Sequence, residues 1–310
     1  MKDADASPLV SIVMPTYNRG HCIDRAIASV LDQDFPHWEL IIVDNHSTDD
    51  TEAVVARFPD PRIRVLKIHN NGVIAASRNM GIRDAGGKYV AFLDSDDWWV
   101  GEKLSASVAA LELGADVVYH DLHLITSLPA KVRAGKRART WQVRAPVFRD
   151  LLRRGNALSN SSVVARRELL EKCGGFSEDP QLCMSVDFDG WLRLSRHTDA
   201  FVRIEAPLGF YWEGGGNETN PRRAISSSLH LQKTYYAELS EQFGDAMPYW
   251  MAYTLARGHH AERDFGRAAH YAKRSLQRGV PPLVALKALV TLGSALVQGA
   301  FARNPSRLAG

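Results

Sequence analysis

Short apolar runs alternate with segments of helical periodicity over the first hundred residues, and this alternation constrains the fold more than any other feature. The apolar runs predict buried strands over 10–14, 40–43, 63–68 and 89–93. Apolar residues at helical spacing predict helices between them, over about 22–33, 48–55 and 74–85. Because strands that alternate with helices form a mostly parallel sheet with helices on both faces, the sequence predicts an α/β fold.

Polar clusters follow the first, second and fourth of these predicted strands, at 16–19, 44–47 and 94–97. Ligands of such sheets gather at the carboxyl ends of the strands. We therefore expect the three clusters to meet in one polar, acidic pocket at an edge of the sheet.

Composition narrows the class of protein. The apolar fraction is 45%, which is ordinary for a globular protein, and a formal net charge of +3 is too small to indicate a nucleic-acid partner. The cysteines at 22, 173 and 183 have neither disulfide nor zinc spacing, which favours a reducing compartment. Since the N-terminus lacks the order of a signal peptide, we expect a cytoplasmic protein.

The pattern changes after residue 100. A helix over 103–113 and a strand over 116–120 precede a basic segment at 131–144, which predicts an exposed loop. Further helices are predicted over 148–152, 166–172, 187–196, 226–243, 247–260, 265–278 and 283–303. We therefore predict a first domain over 1–220 and a helical C-terminal extension over 221–310.

Asp94 and Asp96 form a carboxylate pair two residues apart, directly after a buried strand. Such a pair suits Mg²⁺ or Mn²⁺, which takes oxygen ligands from one or two carboxylates and completes its shell from phosphates. The alternative is that the acidic cluster only marks a polar turn before Trp98 and Trp99.

Ordered motifs then resemble the signature of family 2 inverting glycosyltransferases over roughly residues 9–215. These motifs are PTYNR (15–19), SVLDQ (29–33), IVDNHSTD (42–49), NGVIAASRN (71–79) and FLDSDD (92–97). The resemblance implies a GT-A fold: an α/β domain with a mixed, mostly parallel sheet, here followed by the helical extension.

The resemblance also implies roles for the strand-end residues. The residues expected to bind the nucleotide are Thr16, Tyr17, Asn18, Asp44, Asn45, Arg78, Asn79, Asp94 and Ser95. Asp96 would be the principal metal ligand, with Asp94 beside it. Tyr17 offers a stacking face, and the guanidinium of Arg78 suits a phosphate.

The catalytic base implied by the resemblance is Asp187, in the segment 186–193. An inverting transferase needs one carboxylate to take the proton of the acceptor hydroxyl. Val186 stands where the family commonly has Glu. Asp189 is the alternative base, and the remaining alternative is that both are charges at a helix N-terminus.

The expected reaction is a metal-dependent transfer, with Mn²⁺ or Mg²⁺, from a UDP- or dTDP-sugar to a hydroxyl of a glycan or lipid-linked acceptor. Surface polysaccharide synthesis is the expected process. The Gly-rich loop predicted over 211–220 lacks the His that relatives often use for the metal, so either Glu213 or water replaces it, or Asp96 and phosphate alone hold the metal. The alternatives are a nucleotide-sugar-binding scaffold that has lost catalysis and a nucleotidyltransferase.

The last predicted helix is rich in Leu, Val and Ala, but Pro281, Pro282, Lys287 and Gln298 argue against a membrane span. It either lies peripherally on the inner face of the cell membrane or packs against the first domain or a second subunit, giving a homodimer.

Overall fold

The structure is a computed structural model that describes residues 7–127, 136–138, 140–214, 220–245 and 247–303. Its strands are β1 (Val10–Thr16), β2 (Trp38–Asp44), β3 (Ile63–Lys67), β4 (Tyr89–Phe92), β5 (Trp98–Trp99), β6 (Val117–Ile125), β7 (Arg137–Ala138), β8 (Val164–Arg166) and β9 (Phe201–Trp212). Its helices are α1 (Ile23–Leu31), α2 (Thr51–Val55), α3 (Ile74–Asp84), α4 (Lys103–Glu112), α5 (Val147–Arg154), α6 (Arg167–Lys172), α7 (Val186–Leu194), α8 (Pro221–Thr234), α9 (Tyr236–Phe243), α10 (Tyr249–Ala261), α11 (Phe265–Ser275) and α12 (Pro282–Arg303).

The strands form a mixed sheet in the order β3-β2-β1-β4-β8-β6-β9-β5, with β7 paired to β6. β1 is parallel to both β2 and β4, and β2 is parallel to β3. β8 joins this parallel part to β6 through antiparallel pairs. Thr16 and Asp44 are register partners, so β1 and β2 end level with each other. The polar residues that follow them therefore start from the same edge of the sheet.

Burial explains why the first hundred residues follow their sequence pattern so closely. Every residue of β1 is buried, and α1 buries Ile23, Ala26, Ile27 and Val30 along one face. These α1 side chains and alternate residues of β1 (Val10, Ile12 and Met14) belong to one core that also includes residues of β2, β4 and α4. Burying each such aliphatic side chain contributes about 1.5–3 kcal/mol. The apolar pattern is thus strong enough to determine these elements.

β9 is the longest element that the sequence analysis missed. Its middle residues, including Glu205 and Ala206, are exposed, so the strand lacks a regular alternation of apolar and polar residues. Its parallel pairing with β6 also shifts register around Asp121, as expected of a bulged strand. β6 consequently continues to Ile125, beyond the predicted end at residue 120, and the predicted loop at 211–220 begins inside β9.

The chain divides into two compact units. The first comprises Met1–Phe148, Asn156–Pro180 and Val186–Asn217, and the second comprises Arg149–Gly155, Gln181–Ser185 and Glu218–Gly310. The short segments 149–155 and 181–185 thus belong to the same unit as the C-terminal helices. A single boundary after residue 220 would assign them to the other unit. The division into domains 1–220 and 221–310 stays a prediction. Much of the basic segment at 131–144 lies outside the described residues.

In the second unit, α8 begins after Asn220, whose side chain accepts a hydrogen bond from the Arg223 N–H, and Pro221 occupies the first turn. The helix predicted over 226–243 is two helices, α8 and α9, which meet at Tyr235. The segment Pro282–Ala300 of α12 has the length and apolar composition of a membrane span, with only 11% of its residues buried.

Candidate active site

A pocket of about 290 Å³ opens where β1, β2 and β4 end; we refer to it as the strand-end pocket. The predicted site residues that line it are Thr16, Tyr17, Asn45, Asp94, Ser95 and Asp96. Its other lining residues are Pro15, Arg19, Asn70, Gly72, Ile74 and Ser77. Tyr17 is 54% exposed, which leaves its ring free to stack on a planar ligand.

Asn18 and Asp44 do not line this pocket but brace its loops. Asn18 has a φ of 51°, and its side-chain oxygen accepts the Thr48 N–H at 2.8 Å. Asp44 accepts the Ser47 N–H at 3.1 Å and pairs with Lys67 Nζ at 2.7 Å. These contacts connect the loop after β1 to the loop after β2.

Asn45 presents its amide group to the strand-end pocket in a defined orientation. Its Oδ1 accepts the Asn70 N–H at 2.8 Å, and only a carbonyl oxygen can face a backbone donor. Asn70 in turn donates to Ser77 Oγ at 2.8 Å. Among the described residues, the NH₂ group of Asn45 has no hydrogen-bond acceptor, so it remains a donor for a ligand.

Arg78 lies behind the strand-end pocket, on α3, and does not line it. Its side chain is 3% exposed and donates to Asp187 Oδ1 and, at 2.9 Å, to Asp94 Oδ1. Burial alone would lower the pKa of Arg78, but the carboxylates of Asp187 and Asp94 raise it above its ordinary value. The guanidinium therefore stays charged and holds the two carboxylates together.

Asp187 lines a second pocket of about 370 Å³, which we call the Asp187 pocket. Asp94 lines both pockets, so they adjoin at its side chain. The other lining residues of the second pocket are Asp97, Ala138, Thr140, Asn156, Ala157, Leu158, Ser159, Asn160 and Tyr211. The pocket therefore brings carboxylate, amide and hydroxyl groups together in front of Asp187.

Asp187 has a raised pKa. Burial raises the pKa of this carboxyl, Arg78 opposes that effect, and the negative charge of Asp94 adds to it. A carboxylate whose pKa is raised is a better proton acceptor than an ordinary aspartate. The position and the electrostatics of Asp187 both suit a general base.

The carboxylates of Asp94 and Asp96 form the candidate metal site. Burial and the charge of Asp94 raise the pKa of Asp96, and Arg19, 3.6 Å away, opposes this. A divalent cation would relieve the repulsion between the two carboxylates. In the described ranges, no group of three or more His, Cys, Asp or Glu side chains could hold a metal. Two carboxylates are a donor set that fits Mg²⁺ or Mn²⁺, which would complete its shell with phosphate and water.

Asp97 and Glu213 contribute little to that donor set. Asp97 is 2% exposed and accepts hydrogen bonds from Ser161 Oγ and, at 2.9 Å, from the Trp212 N–H. Glu213 is exposed, and its own N–H is bound to the Ile125 carbonyl. Residues 215–219 of the predicted loop lie outside the described residues.

Asn79 and Asp189 are buried supports. The side chain of Asn79 donates to the Phe176 carbonyl and accepts the Phe176 N–H, both at 2.8 Å, so it holds the loop before α7. Asp189, the alternative base, is 1% exposed and lies 4.0 Å from Arg193. Neither residue lines the strand-end pocket or the Asp187 pocket.

Two residues that support the acidic cluster were not predicted from the sequence. Asn160 donates to Asp94 Oδ1 at 3.1 Å. Arg25 donates to the Asp96 carbonyl at 3.2 Å and stacks on Trp98, 4.1 Å from the ring centroid. The polar run at 159–162 was the only sequence signal for Asn160, because no local spacing connects it to Asp94.

Comparison with known proteins identifies the family. Residues 11–173, more than half of the chain, match the sequence model of the family described as "Glycosyl transferase family 2". The chain belongs to glycosyl transferase family 2. The predicted family is confirmed, and the match supports the predicted class of enzyme.

Named relatives resemble this family 2 chain over about a third of its length. A putative teichuronic acid biosynthesis glycosyltransferase, TuaG from Bacillus subtilis, is 48% identical over 31% of this chain and 39% of its own length. The Escherichia coli protein WfgD, named UDP-Glc:alpha-D-GlcNAc-diphosphoundecaprenol beta-1,3-glucosyltransferase, is 42% identical over 33% of this chain and 41% of its own length. The chain thus matches about two fifths of the length of these relatives.

A solved structure confirms the predicted GT-A fold. S. aureus TarS 1-349, solved in complex with UDP-GlcNAc, has a TM-score of 0.56 with this family 2 chain. The similarity covers 95% of this chain and 92% of the other at 16% identity, which establishes the fold alone. It includes the α/β domain with its mixed sheet and extends into the C-terminal helices.

Proposed function

We propose that this family 2 chain is a metal-dependent inverting glycosyltransferase. It moves a sugar from a UDP- or dTDP-sugar to a hydroxyl of a glycan or lipid-linked acceptor. The observation that carries the proposal is that Asp94 lines both pockets while Arg78 binds Asp94 and Asp187 at once. A donor in the strand-end pocket would thus end beside the carboxylate of Asp187.

The strand-end pocket supplies groups that suit a nucleoside diphosphate. Tyr17 offers a ring face to the base, and Asn45 offers an amide donor to a base carbonyl. Arg19 brings a cation toward the diphosphate, and Asp94 and Ser95 would face the ribose or the phosphates. Uracil and thymine present the same carbonyls, so UDP and dTDP both fit. Asn18 and Asp44 act by bracing the loops of this pocket, and Asn79 acts by holding the loop before α7.

Asp96 and Asp94 would hold Mn²⁺ or Mg²⁺ together with the diphosphate. The cation supplies compensating positive charge as the diphosphate leaves. Arg78 keeps Asp94 in place beside Asp187, and Arg25 fixes the backbone of the same loop.

Asp187 would take the proton of the acceptor hydroxyl. The hydroxyl oxygen then forms a bond to the anomeric carbon from the face opposite the donor. The bond from that carbon to the phosphate oxygen breaks, and the nucleoside diphosphate leaves with the electron pair. The configuration of the anomeric carbon is inverted.

The names of the relatives support the proposed acceptor and cellular location. WfgD acts, by its name, on a diphosphoundecaprenol-linked sugar, and TuaG is named for teichuronic acid biosynthesis. We extend this to a lipid-linked acceptor for surface polysaccharide here, used at the cytoplasmic face of the membrane. In the proposed division, domain 1–220 carries the chemistry and domain 221–310 is the helical extension.

The test is release of UDP or dTDP from a panel of nucleotide-sugars with Mn²⁺ or Mg²⁺, alongside binding measured by calorimetry. We expect binding and turnover with at least one UDP- or dTDP-sugar, and loss of turnover with EDTA. A scaffold that has lost catalysis would bind a nucleotide-sugar without turnover. A nucleotidyltransferase would instead release pyrophosphate from UTP or dTTP. Either result would overturn the proposal.

A further inference from the structure

Helix α12 presents an uninterrupted apolar arc to solvent. Leu283, Leu286, Leu289, Val290, Leu296 and Val297 are each between 53% and 66% exposed. At 3.6 residues per turn these positions, with Gly293 among them, cover about 140° of the helix circumference. We call them the α12 arc. Exposed large apolar residues at this density need a partner, because soluble surfaces carry them singly.

The opposite face of α12 is already packed within the second unit. Ala288 and Ala295 are 0% and 1% exposed, and Ala295 packs with Ala268 and Ala269 of α11. Ser294 Oγ lies 2.9 Å from His260 Nε2 of α10. A helix held this way along its length cannot span a bilayer without losing these contacts. The arc can therefore meet a partner only from the side.

Charge along the helix favours an anionic partner. The segment 282–303 contains no Asp or Glu, and Lys287 borders the arc. Lys273 and Arg278, exposed near the start of α12, add positive charge. A narrow polar strip separates the arc from the packed face and consists of Lys287, Thr291, Ser294 and Gln298.

A lipid surface suits this arrangement better than a second copy of the chain. A stable protein interface uses about 20–30 residues a side, with aromatic or arginine anchors at its centre. The arc is one helix wide and consists of aliphatic residues and glycine. A bilayer requires no complementary shape, and a mean hydropathy of 1.6 over Pro282–Ala300 is ample for partition.

We infer that the α12 arc binds the surface of an anionic lipid bilayer, with the helix lying in the plane of the headgroup and acyl boundary. Lys287, Lys273 and Arg278 would then face the lipid headgroups. This inference goes beyond the proposed function and does not depend on it, because lipid binding is measured without donor or acceptor.

The experiment is co-sedimentation of the full chain with vesicles of phosphatidylcholine containing phosphatidylglycerol. The test variant carries Leu286→Gln, Val290→Gln and Val297→Gln, which alter exposed side chains only. Leu113→Gln is the matched control, because Leu113 is 89% exposed and lies outside the arc. We expect the triple variant to lose at least about tenfold in partition, with Leu113→Gln unchanged. Lys287→Gln should lose roughly fivefold on these vesicles and little on pure phosphatidylcholine.

Several results would overturn the inference. One is wild-type protein that stays in the supernatant, and another is a triple variant that sediments like the wild type although circular dichroism shows it folded. Analytical ultracentrifugation without vesicles gives the remaining outcome: a wild-type dimer that the triple variant converts to monomer, with vesicle binding unaffected, would assign the arc to a second copy.

Discussion

The strand-end pocket and the Asp187 pocket adjoin at Asp94 but are built in different ways. Most residues that line the first directly follow predicted strands, and they are braced by neutral hydrogen bonds such as that between Asn45 and Asn70, together with the partly exposed ion pair of Lys67 with Asp44. The second collects side chains from segments far apart in the chain, and the buried charge of Arg78 joins two of its carboxylates.

This difference predicts how each region tolerates substitution. A neutral hydrogen bond contributes about 0.5–1.5 kcal/mol, and its loss leaves groups that water can often reach. Removing a buried cation leaves carboxylates unpaired at a cost of several kcal/mol. The strand-end pocket should therefore respond in small steps and the Asp187 pocket in large ones.

The largest effect is expected at the proposed base. Asp187→Asn should lower kcat by at least about a hundredfold, within the range of general base catalysis, because an amide cannot take the acceptor proton. Nucleotide affinity should change little, since Asp187 does not line the strand-end pocket. Asp245→Asn, an exposed position in the second unit, is the control. Turnover near the wild-type rate in the Asp187 variant would contradict the assignment.

Arg78→Met should be the most destabilising of these changes. We expect a loss of about 3 kcal/mol in the free energy of unfolding at neutral pH, the lower end of the range for a broken buried pair, because both carboxylates are partly exposed. The deficit should shrink as the pH falls through the raised pKa of Asp187, because its carboxyl is then neutral and no longer needs the cation. Denaturant titration measures it, with exposed Arg83→Met of α3 as the control. An equal loss of stability in the two variants would show that Arg78 does not hold the two carboxylates together.

The pH profile tests the electrostatics of the same pocket. Asp187 must be ionised to act, and its pKa is raised mainly by burial. As the pH falls through that raised pKa, kcat/KM should decrease about tenfold per pH unit, starting at a higher pH than for an ordinary aspartate. Arg78→Lys should shift this decrease in kcat/KM to a still higher pH, because a lysine cannot hold both carboxylates. A decrease in kcat/KM that begins only in the pH range of an ordinary aspartate would contradict the raised pKa.

The smallest effect is expected in the strand-end pocket. Tyr17→Ala should weaken nucleotide binding roughly tenfold, the loss of one stacking face, and leave kcat at saturating donor nearly unchanged. Tyr17→Phe keeps the ring and should bind like the wild type. Tyr236→Ala, at another exposed tyrosine, serves as the control in calorimetry. If Tyr17→Ala binds as tightly as Tyr17→Phe, the base does not stack there.

The sequence alone determined the elements whose signals are local. The apolar runs of β1 to β4 and the helical spacing of α1 and α3 predicted the first half of the sheet. The polar residues that follow those strands predicted most of the strand-end pocket, because parallel strands bring their carboxyl ends to one edge. The motifs further predicted the family, the GT-A fold and the candidate base.

Only the tertiary structure decided which of these side chains meet. Arg78, expected at the nucleotide, lies between Asp94 and Asp187, and the residues it joins are up to 109 positions away. Asp96 lines the strand-end pocket while Asp97, beside it, lines the Asp187 pocket, and Asn160 reaches Asp94 from a distant turn. β9 was missed because its bulged pairing disrupts the alternation of burial. Local patterns record which face of an element is buried, whereas contacts across the sheet depend on how the elements pack.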